Sequence, residues 1–141
     1  MKFPLEHIDK SWTLFLDRDG VINEDVVGDY IKEWESFVFR TGTLEALAML
    51  TPLFTRIIIV SNQRGVEKGL MTKADLDHIT QNMLLAIEEA GGKIDQVFYC
   101  TSLSNDDPNR KPNSGMALQA KSMFPEIEFS KSIMEIGRAH V

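Results

Sequence analysis

Residues 12–20 read WTLFLDRDG, an apolar run that stops abruptly at Asp17 and continues as Arg18, Asp19 and Gly20. A buried strand reads this way where it emerges at the edge of a sheet, so residues 12–16 are expected to form the first strand. A second run, IIIV at 57–60, is β-branched or β-favouring throughout and also ends in polar residues, Ser61, Asn62 and Gln63. A third, at 97–99, ends at Cys100 and opens a polar loop holding Asn105, Asp106, Asp107, Pro108 and Asn109.

Helical spacing fills the gaps between these runs. From Thr72, an N-cap candidate with Asp75 three residues on, apolar positions fall at Leu76, Ile79, Met83, Ala86 and Ile87, and Gly91 and Gly92 close the pattern. Shorter helices are expected over 43–51, ended by Pro52, and over 116–124, ended by Pro125. Strands alternating with helices define an α/β fold: a Rossmann-like parallel sheet with flanking helices, its polar strand ends gathered along one edge. Residues 21–41 break the alternation, being mixed and partly β-like, and are read as a flap over the site.

The chain has 141 residues, 43% of them hydrophobic and 26% charged, which suits one soluble globular domain. A formal net charge of −6 without a basic cluster argues against a nucleic-acid partner, since phosphate-backbone affinity needs concentrated Lys and Arg. The opening MKFPLEHIDK lacks the apolar core of a signal peptide, and no apolar run approaches the roughly 20 residues that span a bilayer. A cytoplasmic location without membrane association is therefore expected, and the single cysteine, Cys100, agrees with a reducing compartment.

Asp17 and Asp19 project to the same side if the strand end stays extended, and two carboxylates so close invite a divalent cation and push their pKa values apart. The plain alternative is a strand ending in a polar turn. Ser61 and Asn62 close the second strand, where a hydroxyl and backbone N–H groups suit phosphate oxygens. Lys111, in NRKPNSGM at 109–116, follows the third strand and precedes a helix. Each residue alone has an ordinary reading, a Ser-Asn turn or a solvated lysine. Three such groups after three successive strands form a more specific signal, that of a site handling a small phosphate ester.

Taken together and in this order, FLDRDGVIN, IIIVSNQRGV and RKPNSGM resemble motifs one to three of the haloacid dehalogenase (HAD) superfamily, over about residues 12–134. The likeness is to the HAD-IIIA subgroup, small phosphatases of heptose bisphosphate and histidinol phosphate, and implies a core without a large cap domain. The resemblance implies that Asp17 is the nucleophile and Asp19 the general acid and base. It implies Mg²⁺ held by the Asp17 carboxylate and the Asp19 backbone carbonyl, and a phosphoryl group held by Ser61 and Lys111. Asn62, Gln63, Arg64 and Arg110 would line the approach, and Asp25 in the flap would meet sugar hydroxyls. A heptose bisphosphate-like sugar is the substrate it favours, with histidinol phosphate as the alternative, and a monomer is expected.

Two departures stand out. Relatives in this subgroup often carry a zinc loop, whereas the corresponding positions here hold Cys100, Ser102, Asp107 and Asn109; one thiolate with weak substitutes is no structural zinc site, so none is expected. No aspartate follows Asp107, so the carboxylate of the fourth family motif, a third metal ligand, is missing, with Glu135 a poor substitute. The core is accordingly expected to span 1–134 and to lack its last strand and helices. The stretch 135–141 is read as a non-native tail, because IGRAHV can be encoded by the start of a common sequencing adapter. Weak turnover, or a catalytically silent phosphate-binding module, is the corresponding alternative. A glycosyltransferase Asp-x-Asp pair fits Ser61 and Lys111 poorly, and a nucleic-acid 3′-phosphatase shares the motifs but not the acidic charge.

Overall fold

The computed structural model describes residues 8–136, so the reading of the first residues and most of the tail reading lie outside the described residues. Four strands form one parallel sheet: β1 (Thr13–Leu16), β2 (Arg56–Asn62), β3 (Gln96–Cys100) and β4 (Ser132–Glu135), in the order β3-β2-β1-β4. Three α-helices connect them: α1 (Thr43–Leu50), α2 (Lys73–Glu89) and α3 (Gly115–Met123). The three expected strands and three expected helices are all present within a residue or two of their predicted ends, and the sheet is the Rossmann-like α/β architecture read from the sequence.

The apolar strands are nearly continuous because both faces of the sheet are covered. Leu14 and Leu16 of β1 and Ile57 and Ile59 of β2 point to one face, where they meet Leu47 and Leu50 of α1 and Leu76, Ile79, Met83 and Ile87 of α2. Their neighbours Phe15, Ile58 and Val60 point to the other face, against Met116 and Ala120 of α3 and Ile127. Helix α2 begins where its capping box predicts: Thr72 Oγ1 accepts from Asp75 N at 3.0 Å, and Thr72 N donates to the Asp75 carboxylate at 2.8 Å. It ends at Gly91, whose φ of 94° is the left-handed conformation that a glycine accepts without strain.

Strand β4 lies beside β1 in a four-residue register, from Thr13 opposite Ser132 to Leu16 opposite Glu135, so a fourth strand is present and takes in Glu135, the first residue of the stretch read as a tail. Asp17 N donates to Glu135 O at 3.0 Å, so this pairing also fixes the first residue beyond β1. The segment 21–41 packs several of its side chains into the molecule. Ile22, Ile31 and Phe37 enter the core on the α1/α2 face, Trp34 stacks on Phe37 with centroids 5.1 Å apart, and Arg40 bonds to the carbonyl of Gly20. No helix among the described residues is long and apolar enough to cross a membrane.

Candidate active site

The three polar strand ends converge because parallel strands deliver their carboxyl ends to one edge. Asp17 follows β1, Ser61 and Asn62 close β2, and Lys111 lies in the loop after β3. Lys111 Nζ stands 3.1 Å from Asp17 Oδ2, and both side chains are largely covered. The two atoms form an ion pair without hydrogen-bond alignment, and the buried ammonium has no hydrogen-bond partner among the described residues. Its N–H groups are thus available to an anion at Asp17. The loop that carries it is locked to β2 from both sides: Lys111 N donates to Asn62 Oδ1 at 2.9 Å, and Asn62 Nδ2 donates to Lys111 O at 3.1 Å. Farther along, Gly115 N donates to Pro108 O at 2.7 Å, and a Cβ at Gly115 would collide with that same carbonyl and with Asn109, so only glycine closes this loop.

Asp17, Asn62, Arg110 and Lys111 line one cavity of about 700 Å³, whose remaining wall is mostly apolar, with Phe15, Met116 and Phe129, and also carries Asn113, Ser114 and Ser132. Asp19, Ser61, Gln63, Arg64 and Asp25 are not part of that lining. Ser61 and Gln63 are wholly buried behind it, and Asp25 sits half-buried in the segment 21–41.

Asp19 is gripped by three side chains. Arg18 Nη2 and Asn23 Nδ2 donate to its Oδ1, each at 2.9 Å, and Gln63 Nε2 donates to its Oδ2 at 2.8 Å. Burial pushes its carboxyl up, but the Arg18 charge and the hydrogen bonds from Asn23, Gln63 and Arg18 outweigh that effect and hold it below the usual 3.8. These contacts therefore favour the ionised form of Asp19. Arg18 itself is 0% exposed and lies 5.8 Å from the centroids of both the Phe37 and Tyr99 rings. The sequence reading passed over Arg18 and Asn23; the signal for the first was a guanidinium set between two aspartates at the end of a buried strand.

Arg64 and Arg110 also meet. Arg64 Nη2 donates to Asn105 Oδ1 at 3.0 Å and to Leu103 O at 2.7 Å, and Arg110 Nε donates to the same Asn105 Oδ1 at 3.1 Å. Two guanidinium groups thus share one neutral acceptor, with Arg64 Nε and Arg110 Nη1 buried and unpartnered among the described residues. Asn105, one residue of the polar loop after the third strand, is the acceptor that this pair shares.

The zinc-loop positions Cys100, Ser102, Asp107 and Asn109 line a second, polar recess together with Glu67, and the Cys100 thiol is buried. For Mg²⁺, the donors offered beside the cavity are the Asp17 carboxylate and the carbonyl oxygen of Asp19, which accepts no hydrogen bond among the described residues. Such a pair suits Mg²⁺, which is commonly held by one or two protein oxygens with water and phosphate oxygens completing its shell. No group of three or more His, Cys, Asp and Glu side chains stands ready for a metal among the described residues.

Fold and strand-end residues together define the haloacid dehalogenase class of phosphatase. The family model described as polynucleotide kinase 3 phosphatase matches residues 14–139. A D-glycero-alpha-D-manno-heptose-1,7-bisphosphate 7-phosphatase of Mycobacterium tuberculosis is 36% identical over 130 residues, covering 92% of this chain and 68% of that protein. The D-glycero-beta-D-manno-heptose-1,7-bisphosphate 7-phosphatase of Haemophilus influenzae is 33% identical over 128 residues, 86% of this chain and 68% of the relative. Among solved structures, D,D-heptose 1,7-bisphosphate phosphatase from B. bronchiseptica, complexed with magnesium and phosphate, superposes with a TM-score of 0.74 at 30% identity. That match covers 81% of this chain and 64% of the other. This chain belongs to the haloacid dehalogenase superfamily, on the branch of the heptose bisphosphate phosphatases.

Proposed function

We propose that the chain hydrolyses a phosphate monoester of a small phosphorylated sugar, of the heptose bisphosphate type, through an aspartyl phosphate on Asp17. The observation that carries this reading is the Asp17–Lys111 pair at 3.1 Å, a carboxylate beside an ammonium with unused donors, at the wall of a cavity large enough for a sugar. A carboxylate oxygen of Asp17 attacks phosphorus while Lys111 and the Ser61 hydroxyl hold the other phosphoryl oxygens. Asp19 takes up a proton from solvent when substrate binds and passes it to the leaving oxygen as the phosphorus–ester oxygen bond breaks. Asp19, again a carboxylate, then removes a proton from water, which attacks phosphorus and frees Asp17 and inorganic phosphate. Mg²⁺ on Asp17 and the Asp19 carbonyl would supply charge neutralisation between nucleophile and phosphate.

Arg64 and Arg110 fit the second phosphate of a bisphosphate. Their spare donors are of the charge-assisted kind that phosphate oxygens satisfy best, and Arg110 shares the cavity with Asp17. Arg110→Ala is expected to raise KM for a sugar bisphosphate about 10-fold or more, since a hydrogen bond to a charged group is worth roughly 1.5–3 kcal/mol. KM for a sugar monophosphate should change little. Equal effects on both esters would assign Arg110 to the transferred phosphate or to the loop.

The relatives act on both anomers by name, so the deciding assay measures phosphate release from α- and β-heptose 1,7-bisphosphate, histidinol phosphate and a simple hexose phosphate. Release is expected to be fastest with a heptose bisphosphate, to stop after one equivalent, and to disappear with excess chelator. Preference for histidinol phosphate, or undiminished release with chelator, would contradict the reading.

A further inference from the structure

Gln63 is 1% exposed, although it follows β2 directly at the polar edge of the sheet. Its carboxamide nitrogen donates to Asp19 Oδ2 at 2.8 Å and to Ser61 Oγ at 3.0 Å. An ionised carboxylate only accepts, so the NH₂ end and not the carbonyl end must face Asp19, and the orientation of the amide is dictated by chemistry. Both of its N–H groups are then committed, one to each neighbour. Ser61 Oγ receives one of them, which turns the serine's own O–H proton away from Gln63. That proton has no other partner among the described residues and is left for a phosphoryl oxygen. Asp19 is meanwhile held on its far oxygen by Arg18 and Asn23.

We infer that Gln63 is a positioning residue that ties the hydroxyl of Ser61 to the carboxylate of Asp19, setting phosphate holder and proton carrier in register before substrate arrives. The inference rests on the phosphatase reading above. Gln63 touches no reacting atom in this account. It acts by fixing where the Asp19 proton is delivered when the phosphorus–ester oxygen bond breaks, and which way the Ser61 proton points. The family resemblance implies for Gln63 a place lining the approach to the site. Its burial and its two donors assign it to the support behind the site.

Gln63→Leu removes both donors and keeps an apolar fit. A hexose phosphate, whose leaving oxygen needs a proton, should lose about 100-fold in kcat, the low end of what general acid–base help contributes. Para-nitrophenyl phosphate, whose leaving oxygen is stable as an anion, should lose at least about 10-fold less, and KM for either ester should move less than kcat. Gln63→Glu is nearly isosteric, takes the Ser61 proton for itself and repels Asp19, so the same divergence is expected where the leucine variant fails to fold. Equal losses on both esters, or a loss in KM alone, would overturn the inference. If the unsubstituted chain turns over neither ester, the phosphatase reading fails and the proton-delivery role with it, and the tie between Ser61 and Asp19 is then judged from crystals of Gln63→Leu. A rotated Asp19 carboxylate upholds it and an unmoved one overturns it.

Discussion

Asp17→Asn is expected to lower phosphate release by about 10⁴-fold or more, as loss of a covalent nucleophile typically does. Asparagine offers no anionic oxygen to attack phosphorus, and its amide leaves Lys111 without the charge it faces at 3.1 Å. The fold should survive. Asp17 Oδ1 accepts from Arg18 N at 2.7 Å, a bond that the asparagine carbonyl can keep, and Asp17 N retains its bond to Glu135 O. The check pairs a phosphate-release assay with circular dichroism: lost release with an unchanged spectrum is the expected result, and retained release would move the nucleophile elsewhere.

Arg18→Met should destabilise the chain more than any surface change. The wholly buried guanidinium is the only full positive charge bonded to the Asp19 carboxylate among the described residues, and methionine would leave that carboxylate largely out of water without its cation. Breaking one side of a buried pair costs about 3–5 kcal/mol, and the 26% exposure of Asp19 points to the lower figure, about 3 kcal/mol. Urea denaturation measures it. The double variant Arg18→Met/Asp19→Asn should regain part of the loss, because it removes the stranded charge. The same pair sets an acid limit. Asp19 is more acidic folded than unfolded, so its contribution is present above the ordinary value of 3.8 and is lost as pH falls through its lower folded value. A denaturation series that descends through this range should show less of that loss in Asp19→Asn; identical acid profiles would contradict it.

The sheet could be read from the residues because strands buried on both faces must be apolar throughout, as Thr13–Leu16 and Arg56–Asn62 largely are. Helix α2 was legible for a different reason, a local one: Thr72 and Asp75 cap each other whatever lies around them. The segment 21–41 had no such local logic. Ile22, Ile31 and Phe37 are set by partners distant in the chain, which no periodicity records. The convergence of Asp17 and Lys111 was legible because parallel topology brings strand ends together; Ser61, at the end of the neighbouring strand, lies buried behind them. What the sequence could not convey was direction. Gln63 turns inward to Asp19 and Ser61, and Arg64 and Arg110 meet on Asn105, 41 and 5 residues away in sequence respectively. Asp25, expected against sugar hydroxyls, lies outside the lining of the cavity that holds Asp17.

The most direct test of the account is the fate of the phosphoryl group. The chain is mixed with Mg²⁺ and a sugar bisphosphate carrying a labelled phosphoryl group at the hydrolysed position, quenched in acid within the first turnover, and mapped by peptide. The label is predicted on Asp17, absent from Asp17→Asn and chased to free phosphate at longer times. Phosphate released with no labelled protein at any time, or label carried by a different residue, would contradict it.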